Sequence, residues 1–212
     1  FSKDYDLPNA SAYCETCASV GMVFWNQRMN LLTGEAKYFD VLERSLYNGA
    51  LDGLSFSGDR FFYGNPLASR GGYGRSEWFG TACCPSNIAR LVESLGNYIY
   101  AKTDDALWVN LFVGSQSTIP LAKGSVKISQ QTEYPWKGDV SITLTPDKKR
   151  KFPVHIRIPG WALGQAVPGD TYRFLTPQEQ KITLLVNGKT VPYTIDKGYA
   201  VIDRTWSQND VI

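Results

Sequence analysis

The fold and the chemistry of this chain centre on residues 78–87, which read WFGTACCPSN. Adjacent cysteines such as Cys83 and Cys84 do not easily bridge each other, because consecutive side chains diverge. Pro85 suits the first position of a helix, and apolar residues follow it at helical spacing: Ile88, Leu91, Val92, Leu95 and Ile99. We therefore predict a helix over about 85–100, whose free N–H groups and dipole favour thiolate over thiol.

A second cysteine pair lies upstream, where residues 14–17 read CETC. Zinc takes thiolate and carboxylate ligands in tetrahedral geometry. The two segments together supply one complete set of four such ligands: Glu15, Cys17, Cys83 and Cys84. The residues alone leave alternatives open, namely buried and inert thiols or a disulfide between the two segments. For Cys14 we favour an inert, structural role.

Composition indicates an ordinary globular protein, with 212 residues, 43% hydrophobic residues, 20% charged residues and a net charge of +2. The sequence contains no apolar run of about 18 residues, so no membrane span is expected. The basic run at 148–151 is typical of a solvated turn, and nothing requires nucleic-acid binding. The only histidine, His155, lies in a strand-like alternation and is predicted to pack or to face solvent. Cys–His catalysis is therefore disfavoured.

Hydrophobic periodicity changes along the chain from helical to strand-like. Helices are predicted at about 17–32 and 35–51, the first apolar on more than one side and therefore buried all round. Short strands follow, at 107–113, 126–130, 140–144, 154–158, 182–186 and 199–202. We predict an α plus β multidomain chain, with a helical part at 1–103 and an antiparallel β-sandwich at 104–212.

The stretch at 54–79 is rich in glycine and aromatic residues and is too long for an ordinary connection, so it is predicted to be functional. Its glycine-rich part, 70–75, lacks the ending of a phosphate-binding loop and indicates a mobile loop over a cleft. Its aromatic residues fit either sugar stacking or packing under the loop: Phe61, Phe62, Tyr63, Tyr73, Trp78 and Phe79.

Several motifs resemble the β-L-arabinofuranosidases of glycoside hydrolase families 127 and 146. They run in order through the chain: DLPN at 6–9, YCETCAS at 13–19, YFDVLERSLYNG at 38–49, FYGNPL at 62–67, ACCPSNIAR at 82–90, YPW at 134–136 and RIPGWA at 157–162. The resemblance implies a retaining bacterial glycoside hydrolase that acts on a glycan. It also implies the last helices of an (α/α)6-barrel catalytic domain over 1–103, followed by a β-sandwich.

The same resemblance implies the roles of individual residues. Zn²⁺ is bound by Glu15, Cys17, Cys83 and Cys84, and Cys83 is the nucleophile. Glu43 matches a position that contacts the sugar. The family's general acid/base is a glutamate in a Gly-Glu-x-Phe segment. If Phe1 is the phenylalanine of that segment, the glutamate lies two residues before Phe1, in a part of the polypeptide upstream of this sequence. We therefore expect a fragment that is inactive alone and a β-sandwich that is incomplete at its C-terminus.

Two other classes of function stay open at this point. One is a non-catalytic carbohydrate-binding or interaction module with a structural zinc site. The other is a thiol redox protein, which would form a reversible disulfide between neighbouring cysteines. Neither the exact sugar nor the compartment, bacterial cytoplasm or periplasm, follows from the sequence.

Overall fold

A computed structural model of the chain describes residues 3–4, 6, 8–176 and 182–212. The chain divides into two compact units. The helical unit comprises Phe1–Arg28 and Val41–Leu95, and the β unit comprises Met29–Asp40 and Gly96–Ile212. Two residues of the family motifs lie outside the described residues. They are Leu7 of the DLPN motif at 6–9, and Phe1, on which the expected position of the acid/base glutamate depends.

Helix α1 spans Thr16–Thr33, close to the predicted range. It ends at Gly34, whose φ of 70° is the left-handed conformation that glycine adopts after a helix. Val20 and Val23 are buried, but Trp25 is 63% exposed and Leu32 is 79% exposed. The prediction of burial all round is therefore wrong for the described part of the chain, because no element there covers these side chains.

The predicted second helix is three consecutive pieces: α2 (Lys37–Ser45), a π-helical turn (Leu46–Ala50) and a 3₁₀ turn (Leu51–Gly53). The π-helical turn brings the backbone of Gly49 against α1. A Cβ at Gly49 would lie 2.4 Å from the Oγ of Ser19, so only glycine fits there. The break in helical period follows from this close approach.

The predicted third helix is α3 (Cys83–Ser94) followed by the short α4 (Gly96–Ile99). It begins two residues before Pro85, because the first turn of a helix needs no N–H donor there and tolerates proline. Both cysteines thus lie inside the first turn. The helix stops before Gly96, which lowers helix propensity, and a strand begins at Tyr100.

The described part of the β unit contains two larger sheets and one separate two-stranded sheet. The five-stranded sheet has the order β1 (Tyr100–Lys102), β2 (Leu107–Val109), β6 (Arg150–Arg157), β10 (Tyr199–Trp206), β9 (Thr194–Asp196). The four-stranded sheet has the order β11 (Asp210–Val211), β5 (Val140–Pro146), β4 (Gly124–Thr132), β3 (Ser115–Leu121). The two-stranded sheet is β7 (Leu185–Val186) with β8 (Lys189–Thr190).

Strand pairing is antiparallel except between β2 and β6, which are parallel. The expectation of a purely antiparallel sheet is therefore wrong at this pair. Asn187 and Gly188 both have positive φ and close the β7–β8 hairpin, which confirms the turn that Asn-Gly predicts.

The core of the β unit consists of alternate residues from both larger sheets. Its members include Val126, Ile128, Ile142, Leu144, Phe152, Val154, Ile156, Ile202 and Trp206. The basic run at 148–151 is only partly a solvated turn. Arg150 and Lys151 begin β6, and the guanidinium of Arg150 lies over the ring of Phe152 with only 15% of its side chain exposed.

A buried polar network also lies in the β unit. The guanidinium of Arg157 donates to Oδ1 of Asp40 and to the carbonyl oxygen of Asn110, both at 2.7 Å. The hydroxyl of Tyr199 donates to Oδ1 of Asn110 at 2.7 Å and accepts from Nδ2 of Asn30 at 2.8 Å. The network attaches the segment Met29–Asp40 to the five-stranded sheet. In the described part of the chain, no helix is long and apolar enough to cross a bilayer.

Candidate metal centre

The four predicted ligands come from two helix N-termini in the helical unit. Glu15 pairs with Gly64 in an isolated β-bridge, directly before α1, and Cys17 is the second residue of α1. The fully buried Thr16 fixes this end of the helix, since its N–H donates to the carbonyl of Tyr63 at 2.9 Å. Cys83 and Cys84 are the first two residues of α3.

The ligand atoms of Glu15, Cys17, Cys83 and Cys84 all lie within 4.8 Å of one another. The sulfur of Cys84 is 3.3 Å from that of Cys17 and 3.8 Å from that of Cys83. Oε1 of Glu15 lies 3.4 Å from the sulfur of Cys83 and 4.0 Å from that of Cys84.

Two of these distances, 3.8 Å and 3.4 Å, match the edges of a tetrahedral coordination shell, and the other two, 3.3 Å and 4.0 Å, each differ from such an edge by about 0.5 Å. With metal–sulfur bonds of about 2.3 Å and metal–oxygen bonds of about 2.0 Å, sulfurs stand about 3.8 Å apart and sulfur and oxygen about 3.5 Å. The donor set is also chemically consistent, because thiolates with one carboxylate suit a borderline-soft divalent ion. The residues present therefore fit a tetrahedral metal ion.

All four cysteines are free thiols, so the disulfide alternative is not observed. Cys14 lies outside the cluster of ligand atoms. Its backbone carbonyl accepts a hydrogen bond from the N–H of Asn65 at 2.7 Å.

Protonation in the cluster differs from the sequence-based expectation. Burial raises the pKa of the Cys17 and Cys84 thiols, and it outweighs the lowering effect of hydrogen bonds with Asn87 at Cys17 and with Cys17 at Cys84. For Cys84, which was predicted to favour thiolate at a helix N-terminus, burial acts in the opposite direction. The hydrogen bond from Tyr13 lowers the pKa of Glu15, so the carboxylate of Glu15 is charged at neutral pH.

Three further residues contact the cluster, and sequence reasoning did not assign them to it. The hydroxyl of Tyr13 donates to Oε2 of Glu15 at 2.8 Å and lies 3.1 Å from that of Tyr63. Nδ2 of Asn87 donates to the sulfur of Cys17 at 3.0 Å. Two spacings in the sequence could have indicated these contacts. Tyr13 and Glu15 are two residues apart, so they lie on the same side of an extended segment. Asn87 follows Cys83 by about one turn of the helix.

The aromatic residues of 54–79 pair with one another. Phe61 meets Trp78 edge to face at 6.4 Å, Phe62 stacks on Tyr73 at 5.3 Å, and Tyr63 meets Phe79 edge to face at 5.8 Å. These ring contacts are those expected if the aromatic residues pack against one another under the loop. Residues 70–74 are exposed, whereas the guanidinium of Arg75 donates to the carbonyl of Asp52 at 2.7 Å.

Two other predicted residues lie elsewhere. Glu43 is on α2, is 6% exposed, and is not one of the four clustered ligands. His155 lies in β6 of the β unit and stacks on Trp108 with ring centroids 4.1 Å apart. Burial lowers the pKa of His155, as expected for a packed histidine.

Comparison with known proteins places this geometry in context. Residues 1–97 match the sequence profile described as "Beta-L-arabinofuranosidase, GH127 catalytic domain", and residues 106–212 match the profile described as "Beta-L-arabinofuranosidase, GH127 middle domain". A curated relative, the non-reducing end β-L-arabinofuranosidase of Bifidobacterium longum subsp. longum, is 34% identical over 218 residues, which cover 95% of this chain and 30% of that protein.

Two solved structures extend the comparison. A GH127 β-arabinofuranosidase is 46% identical with a TM-score of 0.95, covering 100% of this chain and 33% of its own. A GH127 β-L-arabinofuranosidase from Geobacillus stearothermophilus T6 is 42% identical with a TM-score of 0.87, again covering 100% and 33%. The chain thus spans about a third of the length of these relatives.

Proposed function

Because the chain belongs to glycoside hydrolase family 127, the β-L-arabinofuranosidases, we propose that it forms part of a retaining glycosidase that removes β-L-arabinofuranosyl residues from glycans. The observation that carries the proposal is the cluster of one carboxylate and three sulfurs within 4.8 Å. A retaining glycosidase needs a nucleophile on one side of the anomeric carbon and an acid/base on the other.

Glu15, Cys17, Cys83 and Cys84 would hold Zn²⁺, which supplies positive charge that keeps the sulfurs deprotonated at neutral pH. The positive charge would offset the effect of burial, which raises the pKa of two thiols of the site. Cys14 takes no part in this proposal.

Cys83 would act as the nucleophile. Cys84 is fully buried, whereas Cys83 is partly exposed at the start of α3. In the first step a bond forms between the sulfur of Cys83 and the anomeric carbon as the glycosidic C–O bond breaks. The departing oxygen takes a proton from the general acid. In the second step water attacks the same carbon, the C–S bond breaks, and the conjugate base takes the proton of the water.

The remaining parts of the proposal concern the whole protein. The acid/base glutamate would lie two residues before Phe1, and Glu43 would contact the sugar. Residues 1–103 would be the last helices of an (α/α)6 barrel, whose other helices would cover the exposed side of α1. Residues 104–212 would be the β-sandwich domain, since its two larger sheets share one apolar core.

The test is covalent labelling of the whole protein with a β-L-arabinofuranosyl haloacetamide, followed by peptide mapping by mass spectrometry. We expect one adduct, on Cys83, that free arabinose suppresses and that the α-anomeric reagent does not form. An adduct on another residue would overturn the assignment of the nucleophile. No sugar-dependent adduct at all would favour a non-catalytic module.

A further inference from the structure

The ligand sulfurs of the metal centre differ in their contacts with residues outside the cluster. The sulfur of Cys17 accepts a hydrogen bond from Nδ2 of Asn87 at 3.0 Å. The hydrogen-bond partners of the Cys83 sulfur are members of the cluster and include Oε1 of Glu15 at 3.4 Å and the sulfur of Cys84 at 3.8 Å. Within residues 3–4, 6, 8–176 and 182–212, no outside donor reaches Cys83. Two partly exposed sulfurs of one site therefore have unequal surroundings.

The orientation of the Asn87 amide is fixed by a second contact. Nη2 of Arg90 donates to Oδ1 of Asn87 at 2.8 Å. A guanidinium has only donors, so the amide oxygen must face Arg90 and the amide NH₂ must face the sulfur. The two residues are three apart on α3 and therefore share one face of the helix.

Arg90 is itself held in place. Its guanidinium lies over the ring of Phe24, 4.8 Å from the centroid. Flat stacking on an aromatic ring suits a guanidinium and restricts its rotation. A chain of contacts thus runs from α1 through Phe24, Arg90 and Asn87 to the sulfur of Cys17.

An N–H donor aimed at a thiolate stabilises its charge. A thiolate that is stabilised in this way is a weaker nucleophile, because its electron pair is less available. The sulfur of Cys17 has such a donor and the sulfur of Cys83 does not. The hydrogen bond therefore separates a ligand that only binds from a ligand that also reacts.

We infer that Asn87, oriented by Arg90, is a positioning residue that holds Cys17 as a non-reacting metal ligand and directs nucleophilic reactivity to Cys83. The inference rests on the proposed metal-bound cysteine chemistry. It assigns no contact with substrate to either residue.

The test compares alkylation at the two sulfurs in the whole, zinc-loaded protein. Iodoacetamide is applied at limiting concentration, and the ratio of labelled Cys17 to labelled Cys83 is measured by mass spectrometry. Replacing Asn87→Leu should raise this ratio about fivefold or more, the effect expected for one lost hydrogen bond. Asn97→Leu, at an exposed asparagine of α4, is the matched control and should leave the ratio unchanged.

A second pair of variants separates orientation from packing. Arg90→Met removes the donor to Oδ1 of Asn87. The ratio should rise about twofold, less than in Asn87→Leu, because the hydrogen bond to the sulfur of Cys17 is weakened and not lost. Arg90→Lys keeps a donor and should return the ratio close to that of the unmodified protein. A role in packing alone would not distinguish methionine from lysine in this way. The pair also decides the question if Asn87→Leu fails to fold or loses zinc.

An unchanged ratio in Asn87→Leu with full zinc content would overturn the inference and leave the proposed function intact. So would equal ratios in the two Arg90 variants. Failure of the proposed function has a different signature, because the unmodified protein would then lack zinc or would carry the sugar-directed label away from Cys83. Replacement of zinc by Co²⁺ gives an independent readout, since the thiolate charge-transfer band should shift in Asn87→Leu and not in Asn97→Leu.

Discussion

The two units of the molecule contain clusters of polar groups of opposite kinds. In the β unit the network around Arg157 pairs each donor with an acceptor: the guanidinium with Asp40 and the hydroxyl of Tyr199 with Asn110. In the helical unit the candidate metal centre brings together a carboxylate and three sulfurs. Thiols are weak donors, and no cation among the described residues lies within the cluster of ligand atoms.

The difference separates a structural cluster from a binding site. Charged groups that are buried with their partners need nothing further from outside. Clustered acceptors repel one another as soon as they ionise, so they stay protonated or bind a cation. The raised pKa values of Cys17 and Cys84 reflect the first state, and the tetrahedral spacing of the ligand atoms suits the second.

The largest effect is expected from Cys83→Ala in the whole protein. Loss of the proposed nucleophile should lower kcat by about four orders of magnitude or more. Cys14→Ala is the matched control, because Cys14 lies outside the cluster, and it should keep near-normal activity. Initial rates with an aryl β-L-arabinofuranoside decide the matter. Similar losses in both variants would contradict the assignment.

The network of the β unit is tested by Arg157→Met. This change removes the guanidinium that pairs with the carboxylate of Asp40, whose side chain is only 12% exposed, and should lower the free energy of unfolding by about 3–5 kcal/mol. The control is Lys151→Met, which breaks an exposed pair with Asp203 and should cost about 1 kcal/mol or less. Urea titration measures both. A chelator should not change this difference, and a dependence on zinc would contradict the comparison.

Metal affinity should respond to pH through the thiols. Cys17 and Cys84 have raised pKa values, so they are protonated at neutral pH without metal and must lose protons to bind it. Affinity should therefore rise with pH and fall as pH decreases, by about 100-fold per unit if both protons are released. Glu15, with its lowered pKa, adds nothing at neutral pH. Competition with a chelating dye from pH 6 to 8, a range of about two units, measures the slope.

The ligand set itself is tested by Cys17→Ser. Zinc affinity should fall by about 100-fold or more, beyond what is typical of losing an outer partner, while the sulfur of Cys83 remains. Cys14→Ser should keep its zinc. Atomic emission on both variants of the whole protein gives the stoichiometry. If Cys17→Ser keeps its zinc and Cys14→Ser loses it, the assigned ligand set is wrong and Cys14 takes the place of Cys17 in it.

The smallest effect is expected from Tyr13→Phe. The phenol donates to Oε2 of Glu15, which leaves Oε1 facing the sulfurs. Its loss should weaken zinc binding by about tenfold, since outer partners of metal ligands have effects of this size. Tyr172→Phe, at an exposed tyrosine of the β unit, is the control. Equal affinities in the two variants would show that the carboxylate needs no such partner.

The sequence predicted the candidate ligands because the relevant signals are local. Two cysteines before a proline and an apolar stripe define a helix start, and Glu15 and Cys17 lie two positions apart. Family resemblance added Cys83 as the nucleophile, and membership of the family is confirmed. The Asn-Gly turn at 187–188 was predictable for the same local reason.

What the sequence did not reveal depends on contacts between distant segments. The π-helical turn arises where Gly49 meets Ser19 on another helix. The parallel pairing of β2 with β6 follows from sheet order rather than from either strand. The thiol pKa values follow burial, which a helix N-terminus does not predict. The hydrogen bond of Asn87 with the sulfur of Cys17 and the place of Tyr13 beside the cluster depend on the two cysteine segments lying side by side.

The central claim is that one carboxylate and three sulfurs hold a zinc ion, and X-ray absorption at the zinc edge of the whole protein tests it most directly. We predict three sulfurs at about 2.3 Å and one oxygen at about 2.0–2.2 Å from the metal. Cys17→Ser should change the shell to two sulfurs, or remove the metal. A shell of four sulfurs, a nitrogen ligand, or a protein purified without zinc would contradict the account.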